Sequence, residues 1–419
     1  MSSMNRITPS NYPPTGVVSY SNGSPLIVFN VGSKNAMMVG RTIRLNGKIK
    51  YTTSNGTGLI GDNGVLLSNL GIYAALEQLS ISSNQTGVNI ETIRSFNRYL
   101  SSAFKSTKGL QQMANSSTIE NICSPAIYTG TKILNSATED GGTIPVDLPF
   151  SCELPCGLFS GDVPLSMDTT GGITVSIQLS PDSNIFYGIS GTGQTNANGC
   201  LYSLSDVHLT YEDRLMTDRE MKMESMSYNS IQTFYQVVSN NTTSINLNLG
   251  LSKVLSVFMN FLNQEAVNNY SLNGLETGIF IDNDNIQDNL KRIQWLKGGV
   301  KYPIEFNIDT FNSENHQLST QIAREFKQCF TNNINTLSEC YRSQVNTPNN
   351  NDLDPVDVEW NFGLGVNYDQ IGDGADFSQD QWGVIIDKIS NNPAPYVAYI
   401  FVKSVNELNF GKDGLSINL

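Results

Sequence analysis

The chain has 419 residues, of which 39% are hydrophobic and 15% charged, and its 25 Lys and Arg residues against 38 Asp and Glu residues leave a net charge of -13. A chain of this length has room for about two or three domains, and for two when they are all-β sandwiches of ~200 residues. The acidic balance argues against wrapping nucleic acid by charge neutralisation, because that mode needs clustered Lys and Arg.

Asn occurs 48 times and Gly 35 times, and both residue types favour turns, so the sequence predicts many short elements. The first twenty residues hold no apolar stretch of signal-peptide length, and no segment approaches the ~18 apolar residues of a membrane span. We therefore expect a protein that is made in the cytosol and stays soluble.

The first predicted strand covers residues 43–51, where apolar side chains alternate with polar ones. A period of two places the apolar side chains on one face of a strand. Asn46-Gly47 lies inside the pattern and is a typical hairpin turn. The segment is therefore either one strand with a wet face or a hairpin.

An amphipathic helix is predicted next, over residues 91–105. Ile93, Phe96 and Leu100 fall on one stripe at helical spacing. Glu91 and Thr92 would then stand at the helix N-terminus, where acidic and capping groups are favourable.

Two strands follow the helix. The first covers residues 144–150, and its Pro145 and Pro149 share one parity, which suits an edge strand. The second covers residues 173–179, where the alternation is clearest.

A change of parity marks the last strand of the first half. Apolar residues alternate over 202–204 and again over 207–211, but on the opposite parity. One extra residue in a strand has this effect, so the sequence predicts a bulge near Ser205 and Asp206.

The second half of the chain repeats this behaviour. A second amphipathic helix is predicted over residues 318–330, with Leu318, Ile322 and Phe326 on one stripe. Its predicted strands are residues 245–251, 255–261, 300–308, 356–364, 384–386, 396–402 and 408–410.

Both halves thus have strands, one helix and then further strands, with Gly-rich turns at corresponding places, which indicates one sandwich used twice. We place the boundary in the charge-dense stretch near residues 217–229. The predicted organisation is an N-terminal arm at 1–24, a first sandwich at 25–220 and a second at 221–419.

The search for catalytic residues finds little. His208 alternates with apolar neighbours and is expected to face solvent from a strand, and His316 is expected in a loop or a first helical turn. Residues 282–288 begin like a calcium loop, but Ile286 stands where an oxygen ligand is needed. No nucleophile elbow, zincin or P-loop motif occurs. We therefore assign no catalytic, cofactor-binding or metal-binding residue and expect no cofactor.

Six cysteines are spread along the chain, and only Cys152 and Cys156 are close in sequence. No second pair with zinc-ligand spacing accompanies them, so free thiols are the favoured interpretation, with a disulfide or a metal at this pair as the weaker alternatives. The three tryptophans, Trp295, Trp360 and Trp382, lie in or beside predicted strands and are expected to pack in a core or an interface.

Several stretches resemble a known family. Their order along the chain matters more than any one of them. They are Leu148-Pro-Phe, Gly157-Leu-Phe, Val163-Pro-Leu, the strand beginning Gly171-Gly-Ile-Thr-Val, Lys301-Tyr-Pro-Ile-Glu-Phe, Gly372-Asp-Gly-Ala-Asp-Phe, Pro395-Tyr-Val-Ala-Tyr and the ending Leu408-Asn-Phe-Gly-Lys-Asp-Gly. Together they resemble the double jelly-roll major capsid proteins of tailless icosahedral DNA viruses, in the polinton-like virus and virophage branch, over roughly residues 25–419.

This resemblance implies an all-β chain of two tandem eight-stranded jelly-roll sandwiches, each with one short amphipathic helix. It implies a homotrimer with a near-hexagonal outline that tiles the virion shell beside neighbouring capsomers and penton or minor capsid proteins. Such shells commonly enclose an inner membrane. The protein would be made in the host cell cytoplasm, would not be an enzyme and would make no direct contact with nucleic acid.

Two other functions stay open at this point. A polar, loop-rich composition also suits a minor capsid protein at the vertices, or a receptor-binding β-sandwich. An acidic β-sandwich could also hydrolyse carbohydrate through paired carboxylates, which leave no fixed spacing in a sequence.

Overall fold

The structure is a computed structural model, and it describes residues 8–15, 19–32, 35–52, 65–67, 70–107, 148–161, 164–188, 199–215, 224–270, 290–307, 325–326, 328–330, 364–369, 374–388, 395–411 and 414–418. All of its strand pairs are antiparallel. The predicted all-β class is confirmed.

The described residues of the first half form twelve strands and one α-helix. They are β1 (Thr8–Tyr12), β2 (Ser19–Ser21), β3 (Leu26–Gly32), β4 (Met37–Thr52), β5 (Val65–Leu67), β6 (Leu76–Ser83), β7 (Asn89–Arg94), α1 (Phe96–Thr107), β8 (Leu148–Glu153), β9 (Leu165–Ser166), β10 (Gly172–Leu179), β11 (Phe186–Gly188) and β12 (Leu201–Arg214). One sheet has the order β1-β12-β4-β8, with β2 added to β12 and β9 to β4. The facing sheet has the order β3-β10-β6-β7, and β5 pairs with β11.

In the second half, nine strands lie within the described ranges. They are β13 (Ser225–Val238), β14 (Thr242–Leu247), β15 (Val254–Asn263), β16 (Leu290–Lys297), β17 (Val300–Asn307), β18 (Leu364–Asn367), β19 (Trp382–Lys388), β20 (Tyr396–Gly411) and β21 (Gly414–Asn418). One sheet has the order β13-β20-β15-β18, with β21 added to β20, and the facing sheet has the order β14-β19-β16-β17.

The two halves share one topology. In each half, the two main sheets have four strands each along their hydrogen-bonded order, and these eight strands can be numbered from one to eight along the chain. One sheet then has the strand order 1-8-3-6, and the other has the order 2-7-4-5. This order is the same in both halves, and it is that of two Greek keys wound into a jelly roll. The duplication predicted from the sequence is therefore confirmed, while the first half carries additional short strands. The count of eight strands per sandwich stays a prediction.

Alternation explains why these segments form strands. In β10, Ile173, Val175 and Ile177 are buried while the residues between them are half-buried or exposed. β10 lies between β3 and β6, so its apolar side chains face the core from a central strand of the sheet. In the second half, Trp295 and Trp382 are fully buried with ring centroids 5.8 Å apart. These two tryptophans pack in the core, as predicted, whereas Trp360 lies outside the described residues.

The predicted bulge is present in β12. Its pairing with β4 shifts register between Ser205 and His208, and Asp206 has a positive φ of 51°. Non-glycine residues rarely adopt this conformation, and Asp is among those that tolerate it best. The extra residue turns the apolar side chains after it back to the core, which is why the parity changes in the sequence.

The first helix starts later than predicted. Residues 89–94 form β7, which pairs with β6, and α1 begins at Phe96 after a turn at Ser95, whose φ is 51°. The placement of Glu91 in a first helical turn was wrong, because its carboxyl group is buried and binds backbone N–H groups of other segments. The predicted stripe is correct for Phe96 and Leu100, which are buried.

Three strands differ in detail from prediction. β4 runs straight through Asn46-Gly47, so the strand and not the hairpin is correct. The two strands predicted at residues 396–402 and 408–410 are one strand, β20, which pairs with both neighbours and with β21. β14 ends at Leu247, short of the predicted residue 251.

Parts of other predicted elements fall outside the described residues. The edge strand is confirmed at β8, which ends its sheet and exposes Pro149, but residues 144–147 lie outside. Of the second helix, residues 325–326 and 328 are helical, and of the strand predicted at 356–364 only Leu364 is described. Within the described ranges, no helix is both long and apolar enough to span a bilayer.

Candidate functional site

Within the described residues, the side chains that usually perform chemistry are scattered. No group of three His, Cys, Asp or Glu residues there is arranged to hold a metal ion. His208 lies at the surface with its Nδ1 2.9 Å from the carbonyl oxygen of Asp206, which confirms its predicted exposure. His316 and the loop at residues 282–288 lie outside the described part of the chain.

The four described cysteines are buried thiols that form no disulfide with one another. Cys152 and Cys156 lie in and just after β8, and Cys200 and Cys329 lie elsewhere. Burial, reinforced by the nearby carboxylate of Glu91, raises the pKa of Cys156 well above its ordinary value. A thiol that stays protonated is a poor nucleophile and a poor metal ligand.

The most elaborate constellation of side chains lies where the two halves meet. We call it the junction: β7, α1 and residues 156–158 of the first half, packed against the outer face of the sheet formed by β13, β20 and β15. Its apolar centre is the ring of Tyr99 on α1, whose centroid lies 6.1 Å from that of Phe258 and 5.9 Å from that of Phe401. Phe258 and Phe401 are stacked at 5.2 Å. Aromatic clusters of this kind contribute packing area and favourable ring contacts together.

Direct hydrogen bonds border the apolar centre. The hydroxyl of Tyr228 donates to the carbonyl oxygen of Ile90 at 2.8 Å, and that of Thr233 donates to the carbonyl oxygen of Arg94 at 2.9 Å. Asn260 donates through Nδ2 to the Oγ of Ser102 at 2.6 Å. These bonds join β13 to β7 and β15 to α1, so they hold the two halves in one orientation.

Glu91 accepts three backbone hydrogen bonds at the junction. Its Oε1 accepts hydrogen bonds from the backbone N–H groups of Gly157 at 3.1 Å and Ile231 at 2.9 Å, and its Oε2 accepts one from Leu158 at 2.9 Å. The residue is only 3% exposed. One carboxyl group thus ties together β7, the segment after β8, and the first strand of the second half.

The backbone approaches Glu91 so closely that only glycine fits at residue 157. A Cβ atom there would lie 2.3 Å from the carbonyl oxygen of Asn229 and 2.7 Å from Oε1 of Glu91. Burial raises the pKa of Glu91 to about 7, although the hydrogen bonds it accepts favour the ionised form and act in the opposite direction. The junction therefore contains a carboxyl group that changes charge near neutral pH.

A buried cation lies on the α1 side of the junction. Arg98 is 4% exposed and its guanidinium carbon lies 4.4 Å from the ring centroid of Tyr399. Among the described residues, no hydrogen-bond partner faces its Nε or Nη1. The ring of Tyr235 also contacts the ring of Tyr399 edge to face, with the two centroids 6.2 Å apart. A cation–π contact shielded from water is more favourable in free energy than the same contact at an exposed site.

A small cavity of about 100 Å³ remains where α1 meets the helical turn at residues 325–330. It is too small for a typical small-molecule ligand, whose sites span roughly 300–1,000 Å³. Its lining is Tyr99, Ala103, Ile231, Phe258, Cys329, Phe330 and Lys403. Burial lowers the pKa of Lys403. We interpret it as a packing gap of the junction.

Exposed apolar side chains continue from the junction. Tyr235 and Val237 lie on β13, which is at the edge of its sheet among the described strands, and they are 50% and 45% exposed. β7 lies alongside β13 only as far as Thr233. An exposed apolar stretch on a sheet edge is suited to contact with another protein surface. The other large exposed apolar residues are Leu26, Leu201, Leu215, Val267, Val300 and Tyr302.

The architecture matches solved structures along its whole length. A chain in the quasi-atomic model of the PBCV-1 virus capsid superposes with a TM-score of 0.61 at 10% identity, covering 100% of this chain and 98% of that chain. A chain of the Sputnik virophage structure gives 0.61 at 10% identity, covering 99% and 88%. The Faustovirus major capsid protein gives 0.59 at 10% identity, covering 98% and 92%.

No protein-family model matches the sequence, and no curated protein matches it either. At 10% identity the likeness is one of fold. The fold of the chain is the double jelly roll, as the resemblance in the sequence implied.

Proposed function

We propose that this protein is the structural major capsid protein of an icosahedral virion, and that it acts as a homotrimer with a pseudo-hexagonal outline. The observation that carries the proposal is the end-to-end match of both sandwiches, in order, to chains from solved virus capsids. A second support is the junction, whose apolar centre and hydrogen bonds make the two sandwiches one building block.

The proposal includes the division of the chain. The N-terminal arm is 1–24, the first jelly roll 25–220 and the second 221–419, with eight strands in each when β1 of the arm is counted with the first. Sheet membership supports a boundary between Arg214 and Ser225, because described strands before it pair only with one another and so do those after it. Within the arm, β1 and β2 add to β12.

The partners follow from the same role. In the virion the trimer would contact neighbouring capsomers and penton or minor capsid proteins, above an inner membrane or its associated proteins. The net charge of -13 favours a free trimer that stays in solution and does not grip nucleic acid. The protein would be made in the host cell cytoplasm and would perform no catalysis.

Purified full-length protein tests the proposal directly. Size-exclusion chromatography with light scattering should give the mass of three chains, about 138 kDa from 45.9 kDa each, and negative-stain class averages should show a near-hexagonal outline. A stable monomer at micromolar concentration would contradict it. Quantitative mass spectrometry of purified particles separates the alternative: hundreds of copies per particle support a facet protein, whereas a few dozen indicate a vertex or receptor-binding protein.

A further inference from the structure

We propose that Glu91 is a proton-dependent latch between the two jelly rolls, which holds the junction more firmly when its carboxyl group is protonated than when it is ionised. The geometry comes first: one side chain bonds three backbone N–H groups on two segments that are 66 and 140 residues away from it in sequence. The bonds to Gly157 and Leu158 lie within the first half, whereas the bond to Ile231 crosses to the second. If the two halves separate, the bond to Ile231 breaks and the carboxyl group becomes exposed to water.

The surroundings explain why the charge on Glu91 matters. The residue is 3% exposed, and transfer of a carboxylate from water to such a site is unfavourable. Three N–H donors compensate for part of this penalty. Within the described part of the chain no Lys or Arg side chain pairs with it, and its carboxyl oxygens meet backbone N–H groups and the thiol of Cys156. A charged Glu91 is therefore tolerated in the closed junction but is better solvated when the junction is open.

The direction of the effect follows from proton linkage. The pKa of Glu91 is about 7 in the closed junction, above the ordinary value of 4.5 that it would regain in water. The closed form thus binds a proton between these values while the open form does not. Its advantage is complete below pH 4.5 and is lost as the pH rises through 7, by a factor on the order of a hundred in the opening equilibrium.

The phenol and thiol groups beside Glu91 stay neutral in this pH range. Cys156 lies beside Glu91, Tyr99 faces it from α1 and Tyr228 faces it from β13, and burial raises the pKa of each above its ordinary value of 9 or 10. Arg94 and Arg98 carry a fixed positive charge, the latter held over Tyr399. Lys403 on β20 pairs with Ile231 and lines the junction cavity, and burial lowers its pKa, so the Glu91→Gln variant is needed to separate any change in its charge from that of Glu91.

Hydrogen exchange measured by mass spectrometry on the full-length oligomer tests the latch. After correction for the intrinsic pH dependence of exchange, junction peptides that contain Ile231, whose N–H group bonds Glu91 across the two halves, should lose protection between pH 5 and 8.5 by a factor on the order of a hundred. A peptide of β10 in the core of the first sandwich provides the internal reference. Equal pH dependence in the junction peptides and in β10 would overturn the proposal.

Two variants assign the effect. Glu91→Gln removes the titrating group while keeping the shape, so its junction peptides should show no pH dependence beyond that of β10. Glu153→Gln is the matched control, since this carboxylate on β8 is half exposed and bonds Arg44 at 3.4 Å. It should retain the full pH response. A pH response that persists in Glu91→Gln would overturn the assignment, and if that variant does not fold, the comparison of wild-type peptides still decides.

Because this latch is internal to one chain, it does not depend on the capsid role. Failure to form trimers would contradict the proposed function and leave the latch standing, whereas pH-independent junction peptides would do the opposite.

Discussion

The sheet β13-β20-β15-β18 of the second half is covered by protein on its outer face, whereas the corresponding sheet β1-β12-β4-β8 of the first half has a polar outer face. In the second half, Phe258 on β15 and Phe401 on β20 point outward from their own sandwich and are buried beneath α1 of the first half. In the first half, the third and eighth strands are β4 and β12. Their outward residues include Asn46, which bonds Thr210 at 2.9 Å, and Lys48, which bonds Asp206 at 2.7 Å.

Two sheets with the same strand order therefore have chemically different outer faces. The duplicated strand order sets the shape of each sandwich, while the outward-facing parity decides whether a sheet is covered by protein or by water. The second jelly roll depends on the first for cover, because its sheet would otherwise expose a cluster of aromatic rings. The corresponding outer face of the first jelly roll is polar and does not need to be covered by protein. This asymmetry predicts that matched substitutions on the two faces have very different effects.

The largest difference is expected for Phe258→Ala compared with Asn46→Ala. Phe258 contacts Tyr99, Phe326, Phe330 and Phe401, so its truncation leaves a cavity at the junction and should lower the free energy of unfolding by about 3–5 kcal/mol. Asn46 occupies a similar place on β4 and loses only partly exposed hydrogen bonds, for about 1 kcal/mol. Urea unfolding of both variants measures this, and equal losses would contradict the asymmetry.

The charge of Glu91 should produce the next largest effect, as a function of pH. Its pKa is raised from 4.5 to about 7, so its contribution to stability is complete below pH 4.5 and is lost as the pH rises through 7. Between pH 5 and 8.5 the wild type should lose about 2–3 kcal/mol relative to Glu91→Gln. Urea midpoints at several pH values give both curves. Parallel curves would show that Glu91 does not titrate in this range.

Gly157→Ala should weaken the junction by steric conflict. The added Cβ would lie 2.3 Å from the carbonyl oxygen of Asn229, which belongs to β13, so the two halves must shift apart. Overpacking of this kind typically lowers stability by about 1–3 kcal/mol. Gly32→Ala is the control, because no atom lies within 4 Å of its Cβ position at the end of β3. Thermal unfolding of the pair should show a lower midpoint for Gly157→Ala alone.

The alternation of apolar residues made most of the fold predictable. It identified β10 and the bulge of β12, because each strand faces a core on one side and water on the other. The packing of α1 against the outer face of β15 and β20 is also visible in the sequence. In β15 the run from Val254 to Leu262 is buried on both faces, unlike the alternating β4. A strand that is apolar on both parities indicates that something packs on its outer face.

The polar part of the junction left no such signal. Glu91 was assigned to a helix because acidic residues before an apolar stripe commonly start one. Its actual partners are backbone N–H groups, which every residue except proline carries, so nothing in the sequence marks Leu158 or Ile231 as partners. The same holds for Arg98, whose ring contact joins residues about 300 positions apart. Contacts that use the backbone or a single ring can be recognised only in the folded chain.

Tyr228→Phe should weaken the junction by one hydrogen bond. The hydroxyl of Tyr228 donates to the carbonyl oxygen of Ile90 at 2.8 Å in a buried place, so its removal leaves that acceptor without this donor. The expected loss is about 0.5–1.5 kcal/mol. Tyr302→Phe, on a ring that is 38% exposed on β17, is the control and should leave the unfolding midpoint unchanged. An equal shift in both variants would mean that the bond between β13 and β7 contributes nothing.

The smallest effect is expected on the polar face of the first half, for Lys48→Ala. Lys48 and Asp206 form an ion pair at 2.7 Å with side chains that are 47% and 59% exposed, and salt screens such pairs strongly. The unfolding midpoint should therefore stay within experimental error of the wild type in both 10 mM and 500 mM salt. The hydrogen bond from Lys48 lowers the pKa of Asp206, so the same variant should raise that pKa toward its ordinary value, which carboxyl chemical shifts in an NMR titration would report. A clear fall in the midpoint together with an unchanged pKa would mean that Lys48 acts by packing on β12, and that this face is less tolerant of change than its exposure indicates.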